Sequence, residues 1–166
     1  MEIRMLTSLE DAEQYRCIRL ESLQNNPEFV TSYEEEKAVP VQNYKDEFHM
    51  DDSYTFGAFD NHELVGIITL YRDKPYKLGH RAHIGAMYVS PSKRGSGIGK
   101  ALMKEAINKA KSLNGIEQIY LAVVSNNESA KKLYSSLDFQ VFGTEKRGLR
   151  VEENIYYDVD FMILYL

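Results

Sequence analysis

The sequence has few of the features that mark a disulfide-bonded, membrane-spanning or nucleic-acid-binding protein. It contains a single cysteine, Cys17, which cannot form an internal disulfide and suits a reducing cytoplasm. No stretch is long and apolar enough to span a bilayer, and the first residues lack the basic-then-apolar pattern of a signal peptide. The net charge of −5 argues against nucleic acid as a main partner, because phosphate binding needs a basic surface.

The 166 residues are enough for one domain with a sizeable core, and we expect a single domain over 1–166. No internal repeat, low-complexity tract or linker divides the chain. Cys17 falls within a helical pattern, which predicts a small core residue there rather than a nucleophile.

Hydrophobic periodicity predicts strands, helices and their order. Strands are expected at 2–6, 54–59, 64–71, 81–89, 119–124, 139–143 and 155–166, and helices at 8–23, 41–48, 98–113 and around Tyr134. The segment 29–40 is expected to be irregular or partly helical. A strand–helix–strand crossover implies one parallel pair, whereas the hairpins imply antiparallel pairs. The predicted fold is therefore α/β of the α+β type, a mixed and mostly antiparallel sheet with helices on both faces.

A glycine-rich segment, Arg94-Gly95-Ser96-Gly97-Ile98-Gly99-Lys100, joins a predicted strand to the start of an amphipathic helix. Such a turn exposes backbone N–H groups that have no intrahelical partner, and the helix dipole favours a negative charge there. The expected ligand is a phosphate or pyrophosphate. A Walker loop does not fit, because Ala101 stands where Ser or Thr is needed, and the Gly-x-Gly-x-x-Gly spacing is absent. An ordinary glycine-rich turn is the alternative.

A second motif lies in Val123 to Phe139. Ser125 and Glu128 have the spacing of a capping box, which predicts a helix start. Ala130, Leu133, Tyr134 and Leu137 then recur at helical spacing and form one apolar stripe.

Arg-x-x-Gly-x-Gly followed by Asn-x-x-Ala-x-x-Leu-Tyr resembles the GNAT family of N-acetyltransferases, with Asn127 and Phe139 also in matching positions. Asp138 stands where the family usually has glycine, at a helix C-cap. The element order is similar to this family over essentially the whole chain. The resemblance implies the acyl-CoA N-acyltransferase fold, acetyl-CoA as co-substrate, no metal, and direct attack by an amine.

The resemblance also implies roles for individual residues. Backbone groups of Met87 and Val89 would pair with the pantetheine arm, Arg94 to Lys100 would hold the pyrophosphate, and Asn127 would hydrogen-bond the pantetheine region. Asn127 could instead be a helix-start residue. Tyr134 is the candidate general acid toward the departing thiolate, and its alternative role is core packing.

The general base, the acceptor and the quaternary structure stay open. His83 on the central strand, a residue of the acidic run Glu34 to Glu36, or water could accept the proton. The run could also select a cationic acceptor, or it could be a solvated face. The acceptor is a small-molecule or peptide amine, with neither nucleic acid nor membrane as partner. The tyrosine-rich C-terminal strand is a candidate homodimer edge. The alternative function is a non-catalytic module that binds or senses acyl-CoA.

Overall fold

The computed structural model describes every residue, Met1–Leu166. Seven strands form one sheet: β1 (Glu2–Met5), β2 (Ser53–Asp60), β3 (Glu63–Arg72), β4 (Arg81–Val89), β5 (Gln118–Val124), β6 (Gln140–Glu152) and β7 (Ile155–Tyr165). Five α-helices accompany them: α1 (Leu9–Asn25), α2 (Tyr33–Lys37), α3 (Val41–Glu47), α4 (Ile98–Ser112) and α5 (Glu128–Ser135). None of the helices combines the length and the apolar character that crossing a membrane requires.

The sheet has the order β1-β2-β3-β4-β5-β7-β6, and every neighbouring pair is antiparallel except β4–β5. The parallel pairing is short, because only Arg81–His83 of β4 faces 118–120 of β5. Beyond His83 the two strands have no register partners in each other. The middle of the sheet therefore opens toward the carboxyl ends of β4 and β5, which is the place where parallel sheets bind ligands.

Side chains of the sheet enter a core on each face, as alternation along a strand requires. On β3, Ile68 belongs to a large cluster under α4 and α5, whereas its neighbour Ile67 belongs to a smaller cluster under α1 and α3. The predicted mixed, mostly antiparallel sheet with helices on both faces is confirmed.

Helix α1 begins where the sequence predicts. Ser8 is its N-cap and accepts a hydrogen bond from the Asp11 N–H at 3.0 Å, while the Asp11 carboxylate accepts from the Ser8 N–H at 3.0 Å. Arg4 of β1 also donates two hydrogen bonds to this buried carboxylate, at 2.7 and 3.1 Å. The start of α1 is thereby fixed to the first strand.

The segment 29–40 is partly helical, one of the two outcomes expected for it, because it contains the short helix α2, capped by Ser32. Three predictions about the elements need correction. Strand β6 does not end at Gly143 but continues to Glu152 and forms a long hairpin with β7. Cys17 is exposed on α1 and is not a core residue. The C-terminal strand β7 lies between β5 and β6, so it is not a sheet edge; a homodimer stays a prediction without that support.

Candidate active site

The opening between β4 and β5 holds a cavity of about 410 Å³, here called the first cavity. Its walls come from the ends of both strands, from the turn before α4, and from α5. The predicted residues that line it are Met87, Val89, Arg94, Gly95, Gly97, Ile98, Gly99, Lys100, Asn127 and Tyr134. Ser96 does not line it, and its hydroxyl donates to the Lys93 carbonyl at 2.6 Å. The two motifs, more than twenty residues apart in sequence, thus form one site.

The N-terminus of α4 points its free N–H groups into the first cavity. Gly97 is the N-cap, with a left-handed φ of 85°, and its carbonyl accepts the first helical hydrogen bond from the Ala101 N–H. The N–H groups of Ile98, Gly99 and Lys100 therefore have no intrahelical acceptor. A Cβ built on Gly97 would meet nothing within 4 Å. Glycine is needed there for its backbone conformation and for the open space beside the helix end.

Two cations stand beside these N–H groups without an ion-pair partner. Arg94 and Lys100 are both exposed and form no salt bridge, whereas the neighbouring Lys93 is held by Asp60 at 2.6 Å. A helix N-terminus with unpaired cations is a site for a phosphate or pyrophosphate. These backbone and side-chain donors therefore fit a diphosphate such as that of an acyl-CoA.

Backbone groups of Met87 and Val89 on β4 face the opening. The Ser90 N–H donates to the Val65 carbonyl at 2.9 Å, toward β3. Because successive N–H groups of a strand point to opposite sides, those of Val89 and Met87 point away from β3, toward the opening. A bulge lies at Ala86 and Met87, between the paired residues Gly85 and Tyr88, and Ala86 has φ 51°. The bulge turns this end of β4 away from regular pairing and leaves donors for an extended ligand.

Asn127 is the N-cap of α5, and this corrects the predicted capping box of Ser125 and Glu128. The Asn127 side-chain carbonyl accepts from the Ala130 N–H at 3.1 Å, while the Ser125 hydroxyl donates to Asp160 at 2.8 Å. The cap uses only the carbonyl half of the Asn127 amide. Its NH₂ group makes no hydrogen bond within the protein, so both predicted roles are compatible.

Tyr134 lies deep in the first cavity with its ring in the core. The residue is 7% exposed, its ring lies 6.2 Å from that of Phe139, and its hydroxyl makes no hydrogen bond within the protein. Burial raises the pKa of Tyr134 to about 12. The phenol therefore stays protonated over the physiological range and can donate a hydrogen bond to a bound ligand.

A second cavity, of about 640 Å³, adjoins the first. The residues that line both are Glu28, Phe29, Met87, Ala122 and Tyr134. This shared region is called the junction. Sequence reasoning did not single out Glu28, Phe29 or Ala122. The only sequence signal for Glu28 and Phe29 was the helix break at Asn26-Pro27, which places them in a connecting loop.

His83 lines the second cavity but is already engaged by its neighbours. Its Nε2 lies 2.9 Å from Asp73 Oδ2, and its ring is stacked between Tyr71 (5.1 Å) and Tyr120 (5.5 Å). Met87 lies four positions further along β4, which is roughly 13 Å on a regular extended strand. His83 is therefore a wall of the second cavity, remote from the junction.

The acidic run lines neither cavity. Glu35 caps the start of α2 through Ser32, and Glu34 is exposed. Glu36 is buried, where it accepts from the Tyr44 hydroxyl at 2.8 Å and pairs with Arg19 at 3.4 Å. These contacts give Glu36 a structural role, because a buried carboxylate needs hydrogen-bond and ion-pair partners. No residue of this run therefore lies where it could contact an acceptor in either cavity.

The fold and the first cavity define a protein that binds an extended, phosphate-bearing ligand beside a second, ligand-sized cavity. The model of the Acetyltransferase (GNAT) family matches residues 8–139, most of the chain. The chain belongs to this family of acetyltransferases.

Individual relatives agree with this assignment. The N-alpha-acetyltransferase RimI of Mycobacterium tuberculosis is 29% identical over 150 residues, which are 87% of this chain and 83% of that protein. The ribosomal-protein-alanine N-acetyltransferase of Brucella melitensis has the same fold with a TM-score of 0.86, at 21% identity and full coverage of both chains. Salmonella typhimurium yncA, solved with its cofactor acetyl-CoA, has a TM-score of 0.85 at 18% identity, over 99% of this chain and 93% of that one. The present chain is an acetyl-CoA-dependent N-acetyltransferase.

Proposed function

We propose that residues 1–166 form a single catalytic domain that acetylates a primary amine by direct attack on acetyl-CoA in a ternary complex. The observation that carries this proposal is the position of Tyr134, whose unpartnered hydroxyl belongs to a residue lining both cavities. One cavity has the donors for the cofactor, and the other provides room for an acceptor.

The roles in cofactor binding follow from the groups that face the first cavity. The N–H groups at the start of α4, with Arg94 and Lys100, bind the pyrophosphate. The free N–H groups of Met87 and Val89 pair with the pantetheine arm like an added strand. The unused NH₂ of Asn127 donates to the same arm from the opposite wall.

The chemical step is one substitution at the acetyl carbon. Acetyl-CoA supplies an activated acyl group with a thiol leaving group. The neutral amine nitrogen forms the new N–C bond, the C–S bond breaks, and the electron pair leaves on sulfur. Tyr134 donates a hydrogen bond to that sulfur. Glu28, which lines the junction, takes up the proton that the amine loses, directly or through water.

The sequence alone also allowed a non-catalytic module that binds acyl-CoA. Such a module needs the first cavity, but it has no use for a second cavity that meets the first at an unpartnered phenol. The junction therefore favours the enzyme.

The proposed cofactor site predicts that Gly97→Glu abolishes tight CoA binding. The carboxylate would enter the space beside the helix N-terminus and repel the pyrophosphate, and we expect the Kd for CoA to rise at least about a hundredfold. Isothermal titration calorimetry measures this directly. Gly97→Ala is the matched control, because it imposes the same backbone strain at φ 85° without charge. Equal CoA affinity in folded Gly97→Glu and wild-type protein would place the cofactor elsewhere.

A further inference from the structure

The second cavity has an aromatic wall. The rings of Tyr71, His83 and Tyr120 form a continuous stack, with interplanar angles of 12° and 27° between successive rings. Phe142 continues this wall in an edge-on contact with Tyr120 at 5.7 Å, followed by Phe161. All of these residues line the second cavity. Such a wall favours a flat or branched apolar group over a polar one.

The basic side chains that line the second cavity have acidic partners, whereas its one acidic side chain has none. Arg19 is paired with Glu36, and both Arg81 and His83 contact Asp73, at 3.2 and 2.9 Å. Neither Glu36 nor Asp73 lines the cavity. Glu28 is the only carboxylate that lines either cavity, and it forms no hydrogen bond or salt bridge. One negative charge thus stands at the junction without a partner.

We propose that the second cavity selects an amine with a single positive charge and an aromatic or branched apolar body, and that Glu28 holds its ammonium group. The inference rests on the proposed function and names its acceptor class. The ammonium at Glu28 lies at the junction, beside Tyr134, and the body extends along the aromatic wall. A polyamine is disfavoured, because its further ammonium groups would meet Arg19 and Arg81 and no second carboxylate.

The first test compares three probes at saturating acetyl-CoA: 2-phenylethylamine, ethylamine and spermidine. Release of the CoA thiol gives kcat/KM for each. We expect 2-phenylethylamine to exceed both others by at least about tenfold, since the apolar body is recognised only by the second cavity. Equal or better turnover of spermidine, or of ethylamine, would overturn the proposal.

The second test separates the ammonium contact from general electrostatics. Glu28→Gln should raise the KM for 2-phenylethylamine about tenfold and leave the KM for acetyl-CoA nearly unchanged. Glu34→Gln is the matched control, because it removes the same charge from an exposed position outside both cavities. An acceptor KM equal to the wild-type value in Glu28→Gln would remove Glu28 from acceptor recognition.

The third test addresses the aromatic wall. Phe142 is 57% exposed, so Phe142→Ala should fold. It should lower the kcat/KM for 2-phenylethylamine by a larger factor than the kcat/KM for ethylamine, because only the larger amine reaches the wall. An unaltered preference would contradict the wall's role.

Calorimetric titration with CoA distinguishes the two levels of the proposal. If CoA binds but none of the amines is acetylated or binds the CoA complex, the acceptor class is wrong and the cofactor site stands. If CoA itself does not bind, the proposed function fails and the acceptor class fails with it.

Discussion

Tyr134 is both a core residue and a residue that lines the two cavities, and its environment sets the kind of chemistry it can perform. A thiol has a pKa of about 8.5, whereas burial raises the pKa of Tyr134 to about 12. Full proton transfer from this phenol to a thiolate is then uphill by about 5 kcal/mol. In the proposed mechanism Tyr134 is therefore a hydrogen-bond donor to the developing negative charge on sulfur, and not a full proton donor.

Tyr134→Phe is expected to lower kcat roughly a hundredfold, the lower range for a positioned acid. The change keeps the ring's packing, so CoA affinity should weaken by no more than about 1 kcal/mol, the worth of one neutral hydrogen bond. Steady-state kinetics and CoA calorimetry measure the two quantities. Because the pKa is raised, the wild-type kcat should show no loss from this group below about pH 10.

Tyr165→Phe is the control for loss of a tyrosine hydroxyl, since Tyr165 is exposed at the end of β7. A kcat close to the wild-type value in Tyr134→Phe would assign Tyr134 to packing alone.

Single residues also show where sequence reasoning reached its limit. The motif pattern identified Asn127 and Tyr134, and both line the first cavity. The cap of α5 was misassigned because Ser125 satisfies the spacing rule, yet its hydroxyl is used by Asp160, 35 residues away. A local sequence pattern cannot show that Asp160 takes the Ser125 hydroxyl away from the helix cap.

Helix α4 is positioned by its close approach to β3. A Cβ on Gly66 would lie 3.0 Å from Leu102 Cδ1 and 3.2 Å from Ile98 Cγ2. The first two turns of the helix therefore rest directly on glycine. Because the same turns carry the N–H groups that face the first cavity, we expect the packing of α4 and the binding of the cofactor to be coupled.

Gly66→Val should displace the start of α4 and weaken both stability and cofactor binding. We expect a loss of about 1–3 kcal/mol in the free energy of unfolding, the usual effect of overpacking. CoA affinity should fall about tenfold, because helix N–H groups bind a phosphate only over short distances. Urea denaturation and calorimetry measure these effects.

Gly143→Val provides the control, since a Cβ on Gly143 of β6 meets nothing within 4 Å. It should change stability by less than about 0.5 kcal/mol. Destabilised Gly66→Val protein with wild-type CoA affinity would disprove the coupling.

At the level of elements, the predictable parts are those with a buried face or a cap. The central strand β4 was predicted with its observed bounds, and α1 with its cap. The extension of β6 was missed because its residues are largely exposed and lack regular alternation of apolar and polar side chains. This part of β6 is a strand because it pairs with β7, and not because its own sequence has a strand pattern.

At the scale of the whole molecule, the sequence predicted the sheet and the glycine-rich turn that lines the first cavity, but not the second cavity. That cavity depends on the divergence of β4 and β5 after His83, and on the loop after α1 that brings Glu28 over the opening. Both are relations between segments far apart in the chain. Neither leaves a periodicity or motif in either segment.

One carboxylate joins four parts of the molecule near the end of the first cavity. Asp160 of β7 accepts from Ser125 after β5 at 2.8 Å and from Thr144 of β6 at 2.7 Å, and it pairs with Lys131 of α5 at 2.8 Å. These hydrogen bonds, the one from Lys131 first, lower the pKa of Asp160 to about 2. The pKa of Asp11, which joins β1 to α1, is lowered too, by hydrogen bonds from Arg4, Ser8 and Thr7 that outweigh its burial.

The molecule should therefore lose stability in acid through these two carboxylates. A carboxylate whose pKa is lower in the folded state stabilises the fold fully at any pH above its unfolded-state pKa, which is near 4. That stabilisation disappears as the pH falls through the folded-state pKa. For Asp160 this window runs from about pH 4 to about pH 2.

Asp160→Asn should lower the free energy of unfolding at pH 7 by about 1 to 2 kcal/mol, allowing for solvent screening. It should also make the stability less dependent on pH within the window. Urea denaturation at pH 7, 5, 4 and 3 measures both effects. Asp51→Asn, which removes an exposed carboxylate without side-chain partners, should keep the wild-type pH dependence. If Asp160→Asn and wild-type protein lose stability in parallel between pH 5 and pH 3, the contacts that join β5, β6, β7 and α5 do not depend on this charge.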